Sequence, residues 1–223
     1  MRRLAFLSLV CLAPCLMGTP LLTAYRTAQP PVIDGKLDDP CWRAAVASSH
    51  FLSATGDGFP AEQTIVRLSW SASHLYVGIE ANEPLLDPVL NMLHKVRADA
   101  VGRDASVFSN DCVELFLQPR GQPYVHFAAN SATGTYEGRG TDKSWNCDWQ
   151  GKTSRTKTSY IVEMAIPLAA LGGRPEGEWR WNVTRHRPQA KEYSSWSGLR
   201  GAFHQPDQFG VLRFAEKGPA VGS

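Results

Sequence analysis

The segment Ser109-Asn110-Asp111-Cys112-Val113-Glu114-Leu115-Phe116-Leu117-Gln118-Pro119 sets two carboxylates at the mouth of an alternating apolar run. A carboxylate at the rim of a sheet accepts hydrogen bonds from a polar ligand. A pair of them also serves glycoside hydrolysis, one as acid and the other as base or nucleophile. Alternation argues against that second use, because successive strand side chains point to opposite faces and Asp111 and Glu114 fall on different ones. Glu114 shares its face with Cys112 and Phe116, while Val113, Leu115 and Leu117 take the other. If the second set is the core, Glu114 points outward, either as a ligand acceptor or as a plain solvated or ion-paired carboxylate.

Aromatic residues beside polar loops are the other candidates. Trp196 lies in Glu192-Tyr193-Ser194-Ser195-Trp196-Ser197-Gly198, where a large ring either meets a ligand or caps the core, and Tyr193 shares the loop. Phe108, just ahead of the Val-Glu strand, faces the same choice between ligand contact and ordinary burial. Trp145 and Trp149 flank Cys147 and read as structural, with a groove lining as the alternative. Arg185 and Arg187 either reach ligand hydroxyls or pair with Glu163. The six histidines are far apart and read as ordinary surface or hydrogen-bonded residues.

Several chemistries lack their motif. No Gly-x-Ser-x-Gly or His-Glu-x-x-His occurs, and Gln150-Gly151-Lys152-Thr153 lacks the earlier glycine of a phosphate loop. No Cys-x-x-Cys or close Cys/His cluster points to a metal site. The formal charge of +2 is small and the basic residues are scattered, which argues against a nucleic-acid partner.

The elements that hold these residues are strands. Thr64 to Trp70 and Leu75 to Ala81 alternate around a Ser71-Ala72-Ser73-His74 turn, predicting a hairpin. Further strands are expected at Cys112 to Gln118, Tyr124 to Asn130, Trp149 to Thr156, Tyr160 to Ile166, Trp179 to His186 and Gly210 to Phe214. A short strand is expected ahead of Trp42, near Val32. The rhythm breaks between Asn82 and Asn110, a long loop with a helix-compatible stretch near Val89 to Val96, and a helical turn at Leu168 to Leu171 ends at Gly172-Gly173. The fold class is all-β, an antiparallel β-sandwich of jelly-roll or immunoglobulin-like type with one long loop carrying a short helix.

Met1-Arg2-Arg3 followed by an apolar stretch from Leu4 to Met17 reads as a signal peptide over residues 1–24, leaving a domain at 25–215 and a disordered tail at 216–223. The expected location is secreted or periplasmic. Leu12-Ala13-Pro14-Cys15 resembles a bacterial lipoprotein signal, which makes an outer-membrane lipoprotein with a lipid tether the alternative. Cys41, Cys112 and Cys147 lie beyond the leader, either as one disulfide with a leftover thiol or as three buried small hydrophobes.

The order of Val32-Ile33-Asp34-Gly35 to Trp42, Leu75-Tyr76-Val77, Asp111-Cys112-Val113-Glu114-Leu115-Phe116, Val162-Glu163-Met164-Ala165-Ile166-Pro167 and Trp181-Asn182-Val183 resembles family 9 carbohydrate-binding modules and their DOMON-like relatives. The resemblance implies a sandwich whose loops hold one or two terminal sugar units, without catalysis of its own, beside glycoside hydrolases as partners. It implies a clamp of two rings, with Phe108 and Trp196 at those places and phenylalanine standing where tryptophan is expected. Glu114 matches the acidic hydroxyl acceptor, and Arg139, Asn130 and Tyr193 are expected around it. No cofactor is expected, apart from structural calcium. Asp34, Asp38 and Asp39 are oxygen-rich but lack EF-hand spacing, and turn capping is the competing reading. Haem held by Met92 and His94 for electron transfer is the alternative from the same superfamily, and a glycoside hydrolase-associated enzyme is another.

Overall fold

The computed structural model describes residues 18–56, 58–94 and 96–218. Twelve strands follow in chain order: β1 (Leu21–Arg26), β2 (Leu52–Ser53), β3 (Thr64–Trp70), β4 (His74–Asn82), β5 (Cys112–Gln118), β6 (Val125–Asn130), β7 (Thr135–Arg139), β8 (Gln150–Arg155), β9 (Ser159–Pro167), β10 (Trp179–Arg187), β11 (Glu192–Ser195) and β12 (Gly210–Ala215). Two short helices accompany them, α1 (Pro40–Ala44) and α2 (Pro88–His94). The expected all-β sandwich and the helix in the long loop are both present. Among the described residues no helix is long and apolar enough to cross a membrane.

The strands run in the order β7-β6-β5-β10-β12-β1-β3-β4-β9-β8, with β11 and β2 added beside β10. The two ends approach where Thr153 Oγ1 of β8 donates to the Asn130 carbonyl of β6 and Arg155 donates to the Ser131 carbonyl. One feature departs from a purely antiparallel sheet: β1 lies parallel to both β12 and β3. Leu22 and Ala24 of β1 are buried in the core. The sheet therefore starts ahead of residue 25, inside the stretch assigned to the leader, while residues 1–17 lie outside the described ones. At the other end Glu216 pairs with Arg26 and Arg174, and residues 219–223 lie outside the described set.

Period-two patterning places the core. In the β3–β4 hairpin, Val66 and Leu68 stand opposite Ile79 and Val77, and β9 continues the layer with Met164 opposite Val77. Val113, Leu115 and Leu117 of β5 face them from the other side of the sandwich, joined by Trp181 and Val183 of β10. Glu163 does not meet Arg185 or Arg187. It accepts from the backbone N–H groups of Asp34, Gly35 and Lys36 and from Trp42 Nε1, so a turn takes the place of the strand expected near Val32 and is locked onto β9. Gly78 of β4 makes room for this packing, since a Cβ there would stand 2.6 Å from Leu37.

The two arginines instead join a buried network. Arg185 takes Asp111 at 3.0 Å and Glu83 at 3.3 Å, Arg187 takes Glu83 at 2.8 Å and Glu192 at 3.0 Å, and Tyr160 donates to Asp111 at 2.8 Å. The long loop is thereby tied to β10 at Glu83 and at the entry to β5. Burial pushes Asp111 up to about 6 against the opposing pull of Arg185, so this carboxylate belongs to the frame. Cys41, Cys112 and Cys147 are all free thiols, and no disulfide joins them.

Candidate functional site

The face of β5 that turns away from the core carries Cys112, Glu114 and Phe116. Register decides its neighbours: Phe116 stands opposite His126 of β6, Glu114 opposite Ala128, and Ala128 in turn opposite Tyr136 of β7. On the other flank Glu114 stands opposite Thr184 and Cys112 opposite His186 of β10, and His186 faces Tyr193 of β11. The loop ahead of β12 lays His204 and Phe203 over this surface.

These residues make an aromatic cavity of about 270 Å³ lined by Phe108, His126, Tyr136, Gly140, Thr141, Lys143 and His204. Its size lies just under the roughly 300–1,000 Å³ of drug-sized ligand sites, which suits one ring-sized ligand unit. Phe108 is 37% exposed and meets Tyr136 edge to face at 5.0 Å, forming a corner. His126 forms the floor, stacked on Phe116 at 4.3 Å and 7° and touched by Phe108, Tyr136 and His204 at 5.6, 5.3 and 5.1 Å.

Glu114 lies beneath, its side chain 8% exposed, with Oε2 2.8 Å from His126 Nε2. His126 Nε2 makes no hydrogen bond along that contact. Thr184 Oγ1, beside Glu114 in register, is also buried without a partner. Tyr124 Oη holds His204 Nδ1 at 2.9 Å. Burial, and then the neighbouring His126, hold His204 below its ordinary value, with Glu114 pulling the other way. Burial raises the Tyr136 phenol, so it serves as a neutral O–H group.

The expected site residues divide. Phe108 lines this cavity, and Glu114 lies beneath its His126 floor, on the face of β5 that turns away from the core. Tyr193 belongs to the same face: it is 36% exposed and stacks on His186 at 4.3 Å and 6°, and His186 Nδ1 holds the Phe108 carbonyl at 2.9 Å.

Trp196 does not join them. It is 4% exposed, packs on Trp181 at 4.2 Å, and donates through Nε1 to Ser48 Oγ. The reason is one step of strand period: Ser195 lies opposite Thr184 on the cavity face, so the next residue turns into the core. A second hollow of about 230 Å³ reaches Trp196 from outside, among His50, Arg180 and Asp207, but the buried ring offers it almost no surface. Phe108 and Trp196 therefore do not face each other, and Phe108 stands instead in a corner with Tyr136 beside His204.

Asn130 is a correction too. Its amide donates to the Ala100 carbonyl and to Asn110, and its oxygen accepts from Ala132 and Gly134, so the group is spent inside the fold. Arg139 lies outside the cavity lining, its guanidinium 4.8 Å over Trp145.

His126, Tyr136 and His204 were missed. The signal for His126 was present, since His126 and Ala128 alternate with core-facing Phe127 and Ala129. Tyr136 lay in a strand too short and glycine-bearing to be read, and His204 is brought in by a loop.

The residues proposed for metals and haem stand apart from this cavity. Asp34 is held by the Lys36 ammonium and N–H, and Asp39 accepts from Val32 N, so both carboxylates cap the turn. Among the described residues no group of three or more His, Cys, Asp or Glu is placed to hold a metal ion. Met92 is 79% exposed, and the side chain of His94 lies outside the described residues.

Comparison with known proteins agrees with this architecture. A Bacteroides uniformis protein superposes with a TM-score of 0.68 at 19% identity, covering 88% of this chain and 100% of that one. A family 9 carbohydrate-binding module from Caldicellulosiruptor kristjanssonii, solved with cellotriose, gives 0.63 at 17% identity over 92% of this chain and 98% of its own. A family 9 module from the same organism, solved with glucose, gives 0.61 at 17% identity over 90% of this chain and 100% of its own. Endo-1,4-beta-xylanase C of Paenibacillus barcinonensis is 26% identical over 162 residues, which are 67% of this chain and only 12% of that enzyme. The model of the carbohydrate family 9 binding domain-like family matches residues 33–217, and the chain belongs to that family.

Proposed function

We propose that this chain is a carbohydrate-binding module that takes the terminal unit of a glycan into the Phe108–Tyr136–His204 cavity and breaks no bond in it. The observation that carries the reading is a corner of aromatic rings around a hollow the size of one sugar unit, with the nearly buried carboxylate of Glu114 against its His126 floor. Apolar C–H faces of a sugar stack on such rings, and a rim of hydroxyls needs a charged acceptor and neutral donors beside it. With one unit enclosed and ordering costs to offset, dissociation constants fall in the micromolar to millimolar range, roughly 4 to 8 kcal/mol. The match to a short part of a xylanase supports a role beside glycoside hydrolases. The basic and apolar N-terminal stretch supports export from the cytoplasm, with Cys15 as the place of a lipid tether. Calorimetry with cellotriose, glucose and xylo-oligosaccharides tests the binding reading; no saturable heat with any of them, on folded protein, would remove it.

A further inference from the structure

We propose that His126 is a positioning residue that keeps His204 uncharged, so that glycan binding in this cavity requires a neutral His204 and is gated by pH. The inference rests on the sugar-binding reading and adds to it the residue that sets the working pH.

Geometry carries it. Two imidazoles stand at 5.1 Å, their planes at 88°, in a partly closed aromatic hollow. One of them, His126, is at 2.8 Å from Glu114 and almost wholly buried. A single carboxylate faces the two rings, so two imidazolium charges here would share one counter-charge. The titratable groups around the pair come from every neighbouring element: Glu114 from β5, Tyr124 ahead of β6, Tyr136 from β7, and Lys143 from the loop after β7, a further cation on the lining. Burial and then Asp104 and Asp142 raise Tyr136, whereas burial and then His126 lower His204 and Glu114 opposes them. With like charges at this separation in a low-dielectric site, the second imidazole resists protonation.

His204 has a ligand-facing task that depends on this. Its Nδ1 is taken by Tyr124, which leaves Nε2 as its remaining hydrogen-bonding atom. A neutral ring presents one donor and one acceptor; a protonated ring presents two donors and no acceptor. Protonation thus reverses the Tyr124 hydrogen bond so that Nδ1 donates, or removes the Nε2 acceptor, and it sets a cation against the His126 ring and Lys143. The sign follows: the neutral form prevails above the lowered value of His204, and binding is lost as the pH falls through it.

The test is cellotriose affinity by calorimetry between pH 8 and pH 4.5 for the native chain, His204→Gln and His126→Gln, with circular dichroism confirming the fold at each pH. The native chain should bind evenly near neutral pH and then lose about tenfold per pH unit once His204 takes its proton. His204→Gln should bind with little pH dependence, and in His126→Gln the break should move to higher pH because only burial then opposes the pull of Glu114 on His204. A flat native profile, or a break that survives in His204→Gln, overturns the proposal. If neither cellotriose nor glucose binds at any pH, the sugar-binding reading fails instead. The imidazole proton resonances then decide the pairing alone: His204 should titrate below the ordinary imidazole value and move up in His126→Gln, and an unmoved His204 overturns the positioning role.

Discussion

Glu114 and His126 meet on a diagonal between β5 and β6, 2.8 Å apart, although each is paired in register with a different residue. Such diagonal neighbours on one face lie within reach of long side chains. The contact lays a carboxylate against the underside of an aromatic floor, which separates this cavity from an ordinary apolar dimple.

Glu114→Gln keeps the shape and removes the charge. Hydrogen bonds to a charged group are worth about 1.5–3 kcal/mol, so cellotriose affinity should fall about 10- to 100-fold with the fold retained. Calorimetry beside a circular-dichroism spectrum checks this, and unchanged affinity would take Glu114 out of the site.

Phe108→Ala removes one wall of the corner from a ring that is already 37% exposed. The expected loss is about 1–2 kcal/mol of binding with a melting temperature close to that of the native chain. Phe108→Trp should tighten binding, because a larger flat surface meets the sugar face; a weaker complex would show that this wall is not where the ring stacks.

Trp196→Ala acts on folding. Emptying this core position should cost about 3–5 kcal/mol, seen as a large drop in the urea midpoint. Gly210→Ala should destabilise through the same ring, since a Cβ there would lie 2.3 Å from it. A Trp196→Ala protein with native stability and lost glycan binding would reverse this assignment.

Arg185→Ala leaves Asp111 and Glu83 buried without their shared cation. Removing one partner of a buried ion pair costs about 3–5 kcal/mol. The carboxyl of Asp111 is already pushed up to about 6 by burial, and without Arg185 it rises further. A carboxyl with a native value above its unfolded one favours the folded state more as the pH falls. Urea titrations of the variant should therefore show part of the loss regained between pH 7 and pH 5, and a loss that deepens there would contradict the network.

Thiol chemistry should be slow in the native protein. Burial pushes Cys41 up to about 12 and Cys147 to about 11, and raises Cys112 as well, so thiolate is scarce at pH 8. Ellman's reagent should react slowly with folded protein and find three thiols in denaturant in a protein that starts at residue 18. Finding only one would show a disulfide.

Much of the frame was legible locally. Cys112–Gln118 carried its bounds in its alternation, as did the β3–β4 hairpin in its turn. β1 was hidden because its apolar residues continue a leader-like run, and its parallel pairing with β12 joins the two ends of the chain. β11 carries too few apolar residues to announce itself.

Glu114 pointing away from the core follows from the sequence by itself, because a period of two is a local property of the chain, and rings beside it are what the family resemblance implies. Which rings those are was decided only in three dimensions. Tyr193 and Trp196 are three residues apart and take opposite faces once β11 is set against β10, and His126, Tyr136 and His204 converge from two strands and a loop. Strand register and loop closure are contacts between distant segments, and local spacing does not encode them.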